Sequence, residues 1–217
     1  MSQTINLREL ERKAWSSVFQ DGLWDIYLGL LLLAMAFEAL LSDVGFSESW
    51  GMATCIGLDV LAMLVLWAGK KIITVPRMGR VKFGPKRKTR LTWVIFVLFI
   101  SVLVGAGVFL AASAMCGSRP GWLNAAFFAP AVWVVNAIVV FSLGAYFLDF
   151  SRLYLVGVMY ALPVPLDIMF RKLTDVDLSF MAFGVPAAVI LFVGLVMFVR
   201  FLREYPLLAV EAGADDD

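Results

Sequence analysis

The chain has 217 residues, 62% of them hydrophobic and 16% charged, where soluble domains run to roughly half apolar and about a quarter charged. Mean hydropathy is +0.89 and the formal net charge is +1. That composition excludes a soluble globular domain and a basic nucleic-acid binder, and it predicts a chain solvated by lipid.

Histidine is absent. This argues against haem ligation by imidazole, His-based zinc proteolysis, Ser-His catalysis and His-dependent lipid phosphatase or acyl-transfer chemistry. Cys55 and Cys116 make no CxxC spacing, which argues against thiol oxidation chemistry, and no P-loop or dinucleotide fingerprint follows a strand. No cofactor and no metal are expected.

Residues 1–21 read as an interfacial amphipathic helix. Asn6 can cap it, Glu9 suits its dipole, and Leu7, Leu10, Ala14 and Val18 share one face with Arg8, Arg12 and Lys13 off it. No apolar leader core precedes it, so insertion is expected to rely on the first span.

Residues 22–200 then carry six stretches that can cross about 30 Å of hydrocarbon, at 22–41, 50–69, 91–115, 123–148, 153–170 and 179–200. Lipid offers backbone groups no hydrogen-bond partner, so these must be helices. The expected fold is an all-α polytopic membrane protein of six transmembrane helices. Trp24, Trp50, Trp67, Trp93 and Trp122 mark its interfaces. With the N-terminus inside, fifteen Lys and Arg fall on the cytoplasmic side and three (Arg119, Arg171 and Lys172) on the other. The positive-inside rule therefore puts both termini and the tail 201–217 in the cytoplasm, as in a multi-pass protein of a prokaryotic plasma (inner) membrane.

Residues 14–69 hold six acids (Asp21, Asp25, Glu38, Asp43, Glu48 and Asp59) and no base. Ionisable groups inside a bilayer are functional candidates by default. Asp59 lies nine residues in from Trp50, about 13–14 Å along a helix, near the midplane. Glu38 is expected in the outer third and Asp25 near the inner end. Asp21, Asp25 and Asp149 can pair with Lys13 or Arg152 at the cytoplasmic rim.

The loop 70–90 reverses the charge, with nine Lys or Arg and no acid. Ile73 and Val75 alternate with Thr74, Val81 and Phe83 alternate with Arg80 and Lys82, and "PRMG" between them can turn. The pattern predicts a short β-hairpin followed by the basic tether "GPKRKTR". Arg77, Arg80, Lys82, Lys86, Arg87 and Lys88 are candidates to meet anionic headgroups or a phosphate, each base near an anionic surface being worth about 1 kcal/mol. The plainer role of these charges is topological.

In the later spans, Asn136 is a candidate partner for Asp59, along with Ser101, Ser142, Tyr146 and Tyr160. "ALPVPLD" sets Pro163 and Pro165 in the fifth span with Asp167 beside them. Each proline frees a helical carbonyl, so a broken helix next to a carboxylate is expected, a construction transporters use. Gly105, Gly107 and Ala111, and Gly184, Ala187 and Ala188, read as close-packing faces. "FQDGLWDIYLG" (19–29) and "FLDFSRLYLVG" (147–157) match with one gap, which admits an internal duplication.

Three functions compete. A transporter or channel for protons, cations or a small solute uses the intramembrane acids. A non-enzymatic membrane module binds anionic lipid or a protein partner through the basic loop, alone or as a homo-oligomer. A lipid-modifying enzyme uses acids at the cytosolic rim. The bilayer and its anionic headgroups are the partners common to all, with no role for nucleic acid.

Overall fold

Long apolar runs leave the backbone only its own groups to bond, and these runs are helical. The computed structural model describes residues 19–78, 85–114, 125–174 and 178–205; the expected interfacial helix thus falls almost wholly outside the described residues. The helices are α1 (Leu23–Asp43), α2 (Glu48–Gly69), α3 (Pro85–Ala114), α4 (Ala125–Leu148), α5 (Arg152–Ala161), α6 (Pro163–Thr174) and α7 (Ser179–Glu204). Six helical segments are long and apolar enough to cross a membrane: Leu23–Asp43, Ser49–Arg77, Thr89–Gly107, Pro130–Leu148, Arg152–Leu173 and Ser179–Glu204. They match the six expected spans, as a multi-pass membrane protein requires.

The turns follow from local chemistry. α1 ends in a Schellman motif, with Gly45 left-handed at φ 90°. The amide of Phe46 donates to the Leu41 carbonyl at 3.0 Å and that of Gly45 to Ser42 at 3.0 Å. α4 ends in a related way: Asp149 takes φ 53° and the Phe150 amide reaches back to Ala145 at 3.0 Å.

The expected hairpin differs at its first arm. α2 runs without a break through a π-helical turn, Lys70–Thr74, into a final α-turn, Val75–Met78, so Ile73 and Val75 are helical, not strand. The reason is tertiary. Lys70 and Thr74 sit one turn apart, and both bond Asp21 at the start of α1, a grip that a strand would lose because its rise of about 3.3 Å per residue sets such positions about 13 Å apart. The second arm, 79–84, lies outside the described residues. Among the described residues every regular element is a helix.

α1 is the hub. It packs along α7 and α2; α7 meets α6 and α5, α5 packs on α4, and α4 on α3. The α1–α7 pair is antiparallel and very close. A Cβ on Gly22 would lie 2.4 Å from the Gly194 carbonyl oxygen, and one on Gly194 would lie 2.8 Å from the Ile26 amide. Only glycine permits that approach, and Gly22 also needs its φ of 75°. Leu32, Val156, Ala187 and Ile190 fill the space between α1, α5 and α7, and Phe19, Ala145, Phe150 and Leu153 form a second cluster where α4 meets α5. α3 lies at the margin, with none of its most apolar stretch buried. Gly105 and Gly107, expected to pack closely, face open space among the described residues.

Candidate functional site

Alternating helices bring the starts of α1, α3 and α5 to one end of the molecule with the ends of α2, α4 and α7. Call this the basic end. Asp21 and Asp25 lie there, 0% and 1% exposed. Burying a carboxylate demands a partner, and each has one. The Lys70 ammonium meets Asp21 Oδ2 at 2.6 Å, the Thr74 hydroxyl donates to the same oxygen at 2.8 Å, and the Leu23 amide donates to Oδ1 at 3.3 Å. Arg152 Nη1 reaches Asp25 Oδ2 at 2.6 Å while its Nη2 donates to the Phe19 carbonyl at 2.6 Å. The rim pairing expected for Asp25 is therefore present, made by Arg152. Asp149 is bonded by Arg90 at 2.8 Å.

Arg77, a candidate headgroup contact, has another engagement. Its Nη1 donates to the carbonyls of Leu202 at 3.1 Å and Tyr205 at 2.8 Å, capping the end of α7. Arg80 and Lys82 lie outside the described residues. Lys86, Arg87 and Lys88 fall on the first turn of α3, and their side-chain contacts lie outside what is described.

At the opposite end, Glu38 and Asp167 come together, a juxtaposition the sequence did not predict. They line one cleft of about 270 Å³ with Ser42, Asp43, Arg171 and Ser179. Asp167 is held by Arg171 Nε at 3.1 Å and by the Ser179 hydroxyl at 2.6 Å, and Arg171 Nη2 also donates to Ser179 at 2.8 Å.

The proline pair breaks the span into α5 and α6 at Leu162 without unwinding it further. The Leu162 amide bonds the Val158 carbonyl and the Leu166 amide bonds Leu162, both at 3.1 Å, so the ladder survives on either side of Pro163. Pro163 is fully buried and Pro165 is exposed. In the same bend, the Trp133 indole donates to the Tyr160 carbonyl at 2.8 Å. The break expected near Asp167 is thus a one-residue bend, and the Tyr160 carbonyl within it accepts from Trp133.

Asp59 sits midway along α2. Its Oδ1 is buried and has no hydrogen-bond partner among the described residues. Across the bundle, the Tyr160 hydroxyl donates to the Leu28 carbonyl of α1 at 2.6 Å. Asn136 is not the partner of Asp59: the Asn136 amide donates to the Ser101 hydroxyl at 2.9 Å, because α4 packs on α3 and α5 rather than on α2.

Sequence reasoning missed Lys70 and Thr74 by placing them in a loop. A signal was present, since Asp21 and Lys70 lie equally far from the Val44–Ser47 turn, as partners in an antiparallel helical hairpin do. No family model, no curated protein and no solved structure matches the chain, so the site is read from its own residues alone.

Proposed function

We propose that this membrane protein passes a proton or a small cation across the bilayer, with Asp59 as the carboxyl at mid-depth. The observation that carries the reading is the buried Asp59 Oδ1 with no hydrogen-bond partner among the described residues, in a span where lipid supplies none. An unsatisfied carboxyl there is costly, and a transient proton, water or cation is what relieves it. Glu38 and Asp167 supply carboxylates at the far cleft. Asp25, clasped by Arg152, closes the basic end. Full-length protein in proteoliposomes should dissipate an imposed proton or cation gradient, and Asp59→Asn should slow that flux at least tenfold. Unchanged flux in Asp59→Asn would sink the proposal.

A second reading, contact with anionic headgroups at the basic end, is favoured by one pair. The Lys71 ammonium stands 4.8 Å over the ring of exposed Trp67, a cation–aromatic pair suited to headgroup depth. Arg200 and Arg203 are exposed at the same end. The fifteen-to-three charge bias supports a cytoplasmic position for that end.

A further inference from the structure

Two hollows at the basic end share a wall. One is an open groove of about 590 Å³ along α7, lined by Leu195, Val196 and Val199 and then by Arg200, Arg203 and Glu204. The other is a deeper hollow of about 380 Å³ between the starts of α1 and α5 and the end of α7, where Gln20, Ser151 and Arg152 join Arg200 and Glu204. Arg200 and Glu204 line both. The Arg200 side chain is 75% exposed, and its contact with Glu204 is long, 4.0 Å, so its guanidinium remains available to an incoming anion.

The order of chemistry along this path is apolar, then cationic, then hydrogen-bonding. The apolar stretch belongs to a helix that crosses the hydrocarbon, where acyl chains are the solvent. The cationic stretch comes at the helix end, at headgroup depth. Beyond it, the Gln20 amide and the Ser151 hydroxyl offer donors and acceptors, while the charges that also line the hollow are paired, Asp149 with Arg90 and Arg152 with Asp25. We infer that the two hollows form one site for a single anionic glycerophospholipid. An acyl chain lies along Leu195, Val196 and Val199, the phosphate meets Arg200, and a hydroxylated headgroup enters the hollow at Gln20 and Ser151. The inference deepens the anionic-headgroup reading and rests on it. It moves the contact from the basic loop to α7.

The test is native mass spectrometry of the full-length protein in neutral detergent, titrated with equal amounts of phosphatidylglycerol and phosphatidylcholine. The wild type should retain one phosphatidylglycerol per chain in preference to phosphatidylcholine. Arg200→Gln should cut that preference roughly fivefold, the effect of one base at an anionic surface, with a clearly smaller loss in Lys71→Gln, whose ammonium stands over Trp67 and lines neither hollow. Glycerol 3-phosphate, which has the anion without the chains, should not compete. Two results would overturn the site while sparing the broader headgroup reading: an Arg200→Gln preference equal to wild type, or equal losses in Arg200→Gln and Lys71→Gln. Competition by glycerol 3-phosphate would overturn the acyl groove. Absence of any preference in the wild type would overturn both readings at once. Because Arg200 is exposed, unchanged helicity and elution of Arg200→Gln confirm that its fold is intact.

Discussion

Asp21 shows how this molecule handles charge. A carboxylate with no exposure cannot keep its hydration, so its stability depends on the three donors it receives, from Lys70, Thr74 and the Leu23 amide. Breaking a buried pair by removing one partner costs about 3–5 kcal/mol, because the other charge is stranded. Lys70→Met should therefore lower stability by that amount in a detergent unfolding titration, and adding Asp21→Asn should restore much of it. Equal losses in the single and double variants would show that the charge pair is not what holds the α1–α2 junction. Asp25 with Arg152 follows the same logic, and this contact was legible in the sequence because both residues stand at helix starts near the expected rim. Lys70 was not legible as a partner: its neighbours Ile73 and Val75 alternate as a strand would, and only the position of Asp21 across the fold decides for a helix. Asp59 is the reverse case. Its depth could be counted from Trp50, yet which groups approach it depends on which helices pack on α2, and Asn136 is not its partner because α4 packs on α3 and α5.

Between elements, the α1–α7 crossing sets the tolerance. Gly22 and Gly194 bring the two backbones together where no Cβ fits, and further along a Cβ on Gly184 would lie 3.9 Å from that of Ala36. That separation suits a disulfide. In a chain with Cys55 and Cys116 replaced by Ala, the double variant Ala36→Cys, Gly184→Cys should crosslink on mild oxidation, seen as a mobility shift that reductant reverses. Failure to crosslink would contradict this pairing of helices. The number of spans and most of their ends could be read from apolar length and turn residues, since lipid forces the backbone into helices whatever the tertiary contacts. Packing faces could not. Gly105 and Gly107 are as small as Gly194 but face open space among the described residues, because a small residue becomes a contact only where another helix arrives. Register within a hairpin was more available than expected. Like Asp21 and Lys70 around their turn, Arg90 and Asp149 stand equally far from the middle of the α3–α4 connection, and Ser101 and Asn136 nearly so.

At the scale of the whole molecule, the helices run outward from the α1–α7 pair, with α3 at the margin touching mainly α4. The basic end collects the described chain ends, Phe19 and Tyr205, beside the end of α2. The orientation proposed for it gives a direct expectation. In a cysteine-free background, Arg203→Cys should react with a membrane-impermeant maleimide only in inverted vesicles, and Phe46→Cys only in intact cells. The opposite pattern would reverse the assignment of sides. The paired hairpins also impose an order on synthesis. Asp21 emerges from the ribosome 49 residues before Lys70, and until then its charge has only water to hold it, which keeps the foot of α1 at the membrane surface. Once α2 has crossed, the clasp closes and the first two helices can settle as a unit, and Arg90 with Asp149 lets the next two do the same. The closest contact in the protein must wait for its last helix. A nascent chain stopped before Ser179 would hold two finished hairpins and, along α1, a glycine-lined furrow still waiting for its occupant.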